Sequence, residues 1–462
     1  MEKKSEEFKK NIKGKKIGAL GLGRSNIPVI KYLKENGAII TVLDKNKKIE
    51  NECKKLGVEF ILGEKSFENL KIYNYLLRSP GIKPFLSQIE KATQDGVKLT
   101  SEIELLMELA PCKIIGVTGS DGKTTTTTLI SKFLENAGYR VWLGGNIGFS
   151  VFDSIDDMKK EDILVLELSS FQLMTLKQSP DIAVITNISP NHLDYHRSFE
   201  EYVMAKENIF KYQKPGSILV LNEDDEMVTR FQKKSKKDVL IRGFSLKKNV
   251  ENSVYLEENN IISNIDKKIK ITNIENVKLV GMHNIANICA AASAVIDLVG
   301  VESIRQVITS FTGVEHRMEF IRKKDGVSWY NDSIASSPTR TIAGLLSFNQ
   351  KVILIAGGYD KNIPYGVIGD YILDKVKVLL LVGSSAPLIK KAVEDAAKRR
   401  NIDFSKKVDV LNFNSLEQCV NYANDVAKKD DVIVLSPASA AFDLYKDFEE
   451  RGNVFKKLVN EL

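Results

Sequence analysis

Ile114-Ile115-Gly116-Val117-Thr118-Gly119-Ser120-Asp121-Gly122-Lys123-Thr124-Thr125 is the stretch on which the fold turns. An apolar, β-branched run enters a glycine-bounded loop, and a helical pattern leaves it and continues to Asn136. Glycines let backbone N–H groups turn inward around phosphate oxygens, and the helix N-terminus adds partial positive charge. Lys123 is placed to reach terminal phosphates, and Thr124 to hold Mg²⁺. The spacing is not the standard one: G-x-x-x-x-G-K requires glycine at position 117, where Val117 stands, and Gly116 comes one place early. A plain glycine turn before a helix is the alternative. The coincidence of strand, loop, Gly-Lys-Thr and helix favours a phosphate loop, which by itself implies only a nucleoside triphosphate.

Outward from this loop, short β-branched runs alternate with longer helical patterns. Lys16–Leu20, a helix near Ile27–Asn36 and Ala38–Leu43 set the rhythm. Ile163–Leu166, Ile182–Ile185, Val352–Ile355, Val378–Val382 and Val432–Leu435 continue it. Strand, helix, strand in this order predicts parallel sheets covered by helices. With 462 residues and roughly 100–200 per domain, three α/β domains are expected. They are a Rossmann-like N-terminal domain at 1–106, a central P-loop domain with a parallel sheet at 107–312, and a Rossmann-like C-terminal domain at 313–462. Val239–Val280, with short strands and turn residues, reads as a β-rich appendage of the central domain. A long helix is expected over His283–Val299, and a hairpin over Glu319–Tyr330 turning at Asp325-Gly326.

Composition excludes several classes. The net charge of +7 is spread thinly, and the lysines at 233, 234, 236, 237, 267 and 268 read as solvated surface. No concentrated basic face of the nucleic-acid-binding kind is present. Cys53, Cys112, Cys289 and Cys419 form no C-x-x-C pair, which argues against a zinc site or disulfide framework and fits a reducing cytoplasm. The polar, lysine-rich start from Met1 to Lys16 does not read as a signal peptide. No run is expected to supply the ~18 apolar residues of a membrane span.

A second glycine turn, Gly21-x-Gly23, follows the first strand, and Asp44 closes the next. This resembles a dinucleotide fingerprint with a ribose-gripping acid, but Asn26 stands where the third glycine belongs. A tight βα turn is the alternative, and a nucleotide other than NAD is the favoured ligand. Ser79-Pro80-Gly81 follows another strand, Tyr75–Leu77, on the same expected sheet edge.

Further segments fall in a collinear order. They are Gly144-Gly145-Asn146-Ile147-Gly148, Glu167-Leu168-Ser169-Ser170-Phe171-Gln172-Leu173, and Asn187-Ile188-Ser189-Pro190-Asn191-His192-Leu193-Asp194. Ala205-Lys206, Met282-His283-Asn284, Glu315-His316-Arg317, Asn331-Asp332-Ser333 and Leu435-Ser436-Pro437-Ala438-Ser439 follow. Together with Thr118–Thr124, this order resembles the Mur ligase family from end to end. The E-L-S-S-F-Q-L run and the ending Phe448-Glu449-Glu450-Arg451-Gly452 resemble the branch that adds D-glutamate. Three of the four histidines, His192, His283 and His316, lie in these segments, and His196 lies just beyond His192.

The resemblance implies an ATP-dependent amide ligase joining D-glutamate to UDP-N-acetylmuramoyl-L-alanine through an acyl phosphate. Gly119, Ser120, Asp121, Gly122, Lys123, Thr124, Thr125 and Thr126 would hold ATP, with Asn287 at the adenine, Asn284 beside it or capping its helix, and Arg317 and Asp332 at the phosphates and ribose. Arg317 and Asp332 would couple domain closure to ATP, or form surface salt bridges. Thr124, Glu167, His192 and a carbamylated Lys206 would bind two Mg²⁺; a structural histidine and a solvated helix lysine are the alternatives for His192 and Lys206. Arg24, Ser25, Asp44, Ser79, Gly81 and Asn146 would bind the UDP-sugar. Ser336, Lys361, Ala441, Phe442 and Phe448 would bind glutamate. Two positions depart from the family pattern: Ala441 where many relatives carry serine, and Ile334 where many carry lysine. Glutamate recognition is therefore expected to lean on backbone N–H groups and Lys361. The implied setting is a cytoplasmic monomer acting on small molecules, with no nucleic acid or membrane. The rivals are another Mur-type or folylpolyglutamate-type ligase, a nucleotide-binding oxidoreductase built on Gly21 and Gly23, and a P-loop switch without chemistry.

Overall fold

Strands such as Ile163–Glu167 and Val352–Ala356 are buried along their whole length. An uninterrupted apolar strand needs cover on both faces, which parallel sheets obtain from crossover helices. The computed structural model, which describes residues 4–23, 25–147, 150–191, 195–279, 281–360 and 363–462, bears this out. The chain divides into two compact units, Met1–Val277 with Met282–Thr309, and Lys278–Gly281 with Ser310–Leu462.

The first unit holds two sheets. In the N-terminal one, β1 (Lys16–Leu20), β2 (Ile39–Asp44), β3 (Glu59–Leu62), β4 (Tyr75–Arg78) and β5 (Lys98–Thr100) run parallel in the order β3-β2-β1-β4-β5. The order reverses between β1 and β4, where open α/β sheets bind ligands.

The central sheet comprises β6 (Lys113–Thr118), β7 (Val141–Gly145), β8 (Ile163–Glu167), β9 (Ile182–Ile185), β10 (Ile218–Asn222), β11 (Leu240–Ser245), β12 (Ser253–Glu257), β13 (Asn260–Ile265) and β14 (Lys267–Asn273). Its order is β14-β13-β12-β11-β10-β9-β6-β8-β7, parallel except for the β12-β13-β14 meander. The segment read as a β-rich appendage of the central domain does hold strands, and they continue its sheet, because β11 pairs parallel with both β10 and β12.

The long helix spans Met282–Ile308 with non-helical backbone at Gly300, one residue beyond the expected end. By length and hydropathy (1.6) it passes for a membrane span, which was not expected from the sequence, but 61% of that window is buried inside the protein. Its Ala290, Ala291, Ala292 and Ala294 let it lie close to the helix Lys123–Asn136 and to β11.

In the second unit, β15 (Glu319–Lys324), β16 (Val327–Asn331), β17 (Val352–Ala356), β18 (Val376–Val382), β19 (Asp409–Phe413) and β20 (Val432–Leu435) adopt the order β15-β16-β20-β17-β18-β19. Only the β15-β16 hairpin is antiparallel. It turns where expected, with Asp325 and Gly326 both at positive φ (50° and 84°), as a two-residue hairpin requires.

Candidate active site

The loop leaving β6 is built by close backbone approach. Gly119 has φ +154°, and a Cβ there would lie 1.8 Å from Thr186 Oγ1. Gly116, the glycine that blurred the sequence spacing, belongs to β6, where a Cβ would press on Pro180 and Leu168. The segment after β9 fastens the loop. Ser120 N donates to Asn187 O (2.9 Å), Asp121 N to Asn187 Oδ1 (2.9 Å), and Thr186 Oγ1 to Asp121 O (2.6 Å). The long helix closes the other side, since a Cβ on Gly122 would meet Asn287 Oδ1 at 2.3 Å. Thr126 Oγ1 donates to Asn287 Oδ1 (3.3 Å), and Asn287 Nδ2 to Asn284 Oδ1 (3.2 Å). Gly119–Thr126, Asn284 and Asn287 thus converge. Lys123, at the helix N-terminus, folds its Nζ onto Gly119 O (2.9 Å) and Ser120 O (2.8 Å). His283 is exposed at the start of the long helix.

Glu167 ends β8 and is buried. Its Oε1 accepts from Asn146 Nδ2 (2.8 Å), whereas Oε2 is buried without a hydrogen-bond partner among the described residues. A lone buried carboxylate oxygen is costly unless a cation meets it. Lys206, on the helix Phe199–Lys211, is 1% exposed, so it is no solvated helix lysine. Its Nζ donates to Gly119 O (2.7 Å) and Thr118 Oγ1 (3.2 Å). Burial, and then the neighbouring Lys123 charge, hold its pKa well below the usual lysine range, with Asp121 and Glu167 opposing. His192 lies outside the described residues, as do Arg24 and Lys361. Among the described residues, no three His, Cys, Asp or Glu side chains gather as a metal cage. Mg²⁺ is held by one or two carboxylates and completes its shell with water and phosphate oxygens. Glu167 Oε2 and the half-buried Thr124 fit such an ion.

At the N-terminal switch point, Asp44 Oδ2 accepts from Leu22 N (3.0 Å) and Oδ1 from Asn46 N (2.8 Å), so this acid shapes the glycine turn itself. A Cβ on Gly23 would lie 2.8 Å from Ser79 Oγ, which places the two loops side by side. Gly81 faces open space, and Ser25 precedes the helix Asn26–Glu35 without capping it. Asn26 replaces the third glycine by bonding: its Nδ2 donates to Gly21 O (2.9 Å) and Leu77 O (3.5 Å). Asn146 belongs to the Glu167 neighbourhood in the central sheet.

In the second unit, the residues expected near glutamate lie beyond β16 and β20. Ala441 is buried, and its carbonyl accepts from Leu444 N and Tyr445 N. Phe442 is 58% exposed, with its ring 6.3 Å from that of Tyr359. Phe448 opens the last helix, and its carbonyl accepts from Ser333 Oγ (2.7 Å). Ser336 N donates to Ile334 O (2.8 Å). Asp332 is buried, taking bonds from Ser436 Oγ (2.7 Å) and Met318 N (3.2 Å), and burial pushes its pKa up to about 7. Arg317 offsets part of that rise. His316, with φ 61°, sits in bonding contact with Asn331 Nδ2 (2.9 Å), a structural role.

Three family models cover the chain: a MurD-like N-terminal domain at residues 15–101, a Mur ligase middle domain at 117–295, and a Mur ligase glutamate ligase domain at 316–439. The chain is 47% identical to the UDP-N-acetylmuramoylalanine–D-glutamate ligase of Acetivibrio thermocellus, with all of both chains covered. It is 45% identical to the protein of the same name from Clostridium botulinum, again over all of both. This chain belongs to the Mur ligase family. At the level of fold, it is similar to the UDP-N-acetylmuramate-alanine ligase of Thermotoga maritima (TM-score 0.57, 17% identity, 97% of this chain and 99% of that one). It is likewise similar to the MurF ligase of Thermotoga maritima (TM-score 0.56, 20% identity, 98% and 97%).

The Mur ligase site also contains residues that sequence reasoning passed over. Thr186, Asn187 and Tyr202 hold the phosphate loop, Tyr202 through its OH on Ser120 Oγ (2.8 Å), and Thr118 Oγ1 accepts from Lys206 Nζ. Each lies in or beside a recognised segment, but a lone Thr, Asn or Tyr has no spacing signature. Arg451 is the other. It is buried, donating from Nε to Ser333 Oγ (3.0 Å), from Nη1 to Ala440 O (3.0 Å), and from Nη2 to Ser333 O (2.8 Å) and Ser439 O (3.1 Å). Desolvation lowers its pKa to about 10. In the sequence it passes for a surface arginine beside two glutamates.

Proposed function

We propose that this Mur ligase uses ATP to join D-glutamate to UDP-N-acetylmuramoyl-L-alanine in peptidoglycan precursor synthesis. The full-length match to D-glutamate ligases carries the reading, and the loop geometry supplies its chemistry. Amide formation in water is uphill, so the acid is first activated. A carboxylate oxygen of the acceptor attacks the γ-phosphorus, the bond to ADP breaks, and an acyl phosphate forms. The amine of glutamate then attacks the acyl carbon, releasing phosphate and a proton. Both partners in the first step are anions, so fixed positive charge is the main requirement.

Lys123, swinging from its loop carbonyls to the β- and γ-phosphates, supplies part of that charge. Thr124 and Glu167 would hold one Mg²⁺, and His192 with carbamylated Lys206 a second; the ions supply further neutralisation between the reacting anions. Carbamylation requires a neutral amine: Lys206 Nζ attacks the carbon of CO₂, forms an N–C bond and loses a proton. Its burial favours that uncharged form. Arg24, Ser25, Asp44, Ser79 and Gly81 bind the UDP-sugar, Asn146 the muramoyl-alanine part, and Ser336, Lys361, Ala441, Phe442 and Phe448 the glutamate. Domains at 1–106, 107–312 and 313–462 and a cytoplasmic monomer complete the reading.

The test is phosphate release by purified protein with ATP and Mg²⁺ across a panel of acceptors and amino acids. Turnover is expected only when UDP-N-acetylmuramoyl-L-alanine and D-glutamate are both present. Turnover with another amino acid, with a folate acceptor, or without any acceptor overturns the assignment.

A further inference from the structure

Two recognised segments, Glu167–Leu173 and Ser79–Gly81, meet at a residue that no motif contains. Arg78, the last residue of β4, is fully buried. Its Nη1 donates to Pro80 O (3.3 Å) and Ile82 O (2.9 Å), on the loop assigned to the UDP-sugar. Its Nη2 donates to Phe171 O (2.8 Å) and Thr175 Oγ1 (3.2 Å), in the segment that follows Glu167. Tyr195 joins from a third segment, its OH donating to the same Pro80 O (2.9 Å) and Ile82 O (3.1 Å).

The contacts continue to the phosphate loop. The Phe171 ring lies 4.1 Å from that of Tyr195 and 5.7 Å from that of His196. His196 Nε2 contacts Ser170 Oγ at 2.9 Å, and its ring lies 5.3 Å from that of Tyr202. Tyr202 OH in turn reaches Ser120 Oγ. An unbroken series of packed side chains therefore runs from the UDP-side loop to the phosphate loop. An arginine fork fits this junction because it is planar and offers donors in two directions; a lysine ammonium cannot span both.

We propose that Arg78 is a positioning residue for the acceptor: it clamps the Ser79–Ile82 loop against the Phe171–Thr175 segment, fixing the distance between the bound UDP-sugar and the phosphate loop. The proposal rests on the ligase reading above. Two anions react here only if held in register, and small misplacements of a reacting group cost rate steeply. The side chain touches neither substrate directly.

Steady-state phosphate release and ADP binding, with melting temperature as a fold check, test this in Arg78→Met and in the milder Tyr195→Phe. In Arg78→Met, the KM for UDP-N-acetylmuramoyl-L-alanine is expected to rise about tenfold and kcat to fall about tenfold, with the ADP Kd within twofold of wild type. Tyr195→Phe is expected to shift the same two parameters by about threefold, and it carries the test if Arg78→Met does not fold. Arg78→Lys is expected not to restore kcat. A lowered melting temperature with unchanged KM and kcat at 25 °C overturns the proposal and leaves Arg78 a purely structural residue. So does a parallel loss of ADP affinity. If the wild-type protein shows no acceptor-dependent turnover, the ligase reading itself fails, and the proposal with it.

Discussion

The phosphate-loop end of the central sheet and the loops beyond β16 and β20 in the second unit both gather charge at strand ends, but they use it differently. In the second unit charge is consumed internally. Arg451 spends four donations on neutral oxygens of its own loops, and Asp332 is taken up by Ser436 and Met318. At the phosphate loop, neutral groups (Thr186, Asn187, Asn287, Tyr202) do the fastening, while Glu167 keeps a buried oxygen without a partner among the described residues. The lesson is that burial alone does not mark a catalytic charge. At the phosphate loop the buried carboxylate of Glu167 also keeps bonding capacity that a ligand can take up.

If that contrast holds, charge substitutions in the first region damage chemistry more than stability. Lys123→Ala is expected to lower ATP turnover by at least about 10³-fold, with little change in melting temperature, since its Nζ donates to two carbonyls of its own loop. Full activity in the phosphate-release assay would break the comparison at its strongest point. Lys206→Ala should cost about 10²-fold and, if Lys206 is carbamylated as proposed, recover in part with added formate or acetate, because a small carboxylate would stand in for the carbamate. Failure of rescue, with intact nucleotide binding, would remove the carbamate.

The second region should behave in reverse. Arg451→Met leaves four acceptors unmet at hydrogen bonds to charge worth roughly 1.5–3 kcal/mol each before relaxation. A net loss of about 3 kcal/mol, read as a melting temperature lower by roughly 6–12 °C, is expected. KM for D-glutamate should rise while ATP affinity holds. The smallest effect concerns Asp332. Its folded pKa of about 7 lies above the ordinary aspartate value, so the protonated form favours folding. That contribution is full below about pH 4 and is lost as pH rises through 7. Asp332→Asn should therefore flatten the fall in melting temperature between pH 5 and pH 8 by roughly 2–4 °C. An unchanged slope would show that Ser436 and Arg317 already balance the burial.

Much was legible in the chain itself. Periodicity located the strands Lys16–Leu20, Ile182–Ile185 and Val432–Leu435 to the residue, because fully covered strands read as continuous apolar runs. Glycine spacing marked the phosphate loop, since close backbone approach tolerates no side chain at Gly119 or Gly122. Asp325-Gly326 announced its turn through the positive φ it must adopt. Tertiary structure alone decided the rest. That the strands from Leu240 to Asn273 extend the sheet, that Lys206 is buried, and that Arg78 and Arg451 brace loops rather than face water all depend on partners distant along the chain. A lysine or arginine looks the same in sequence whether solvated or buried, and only the oxygens folded around it settle which charge is structural and which remains for a substrate.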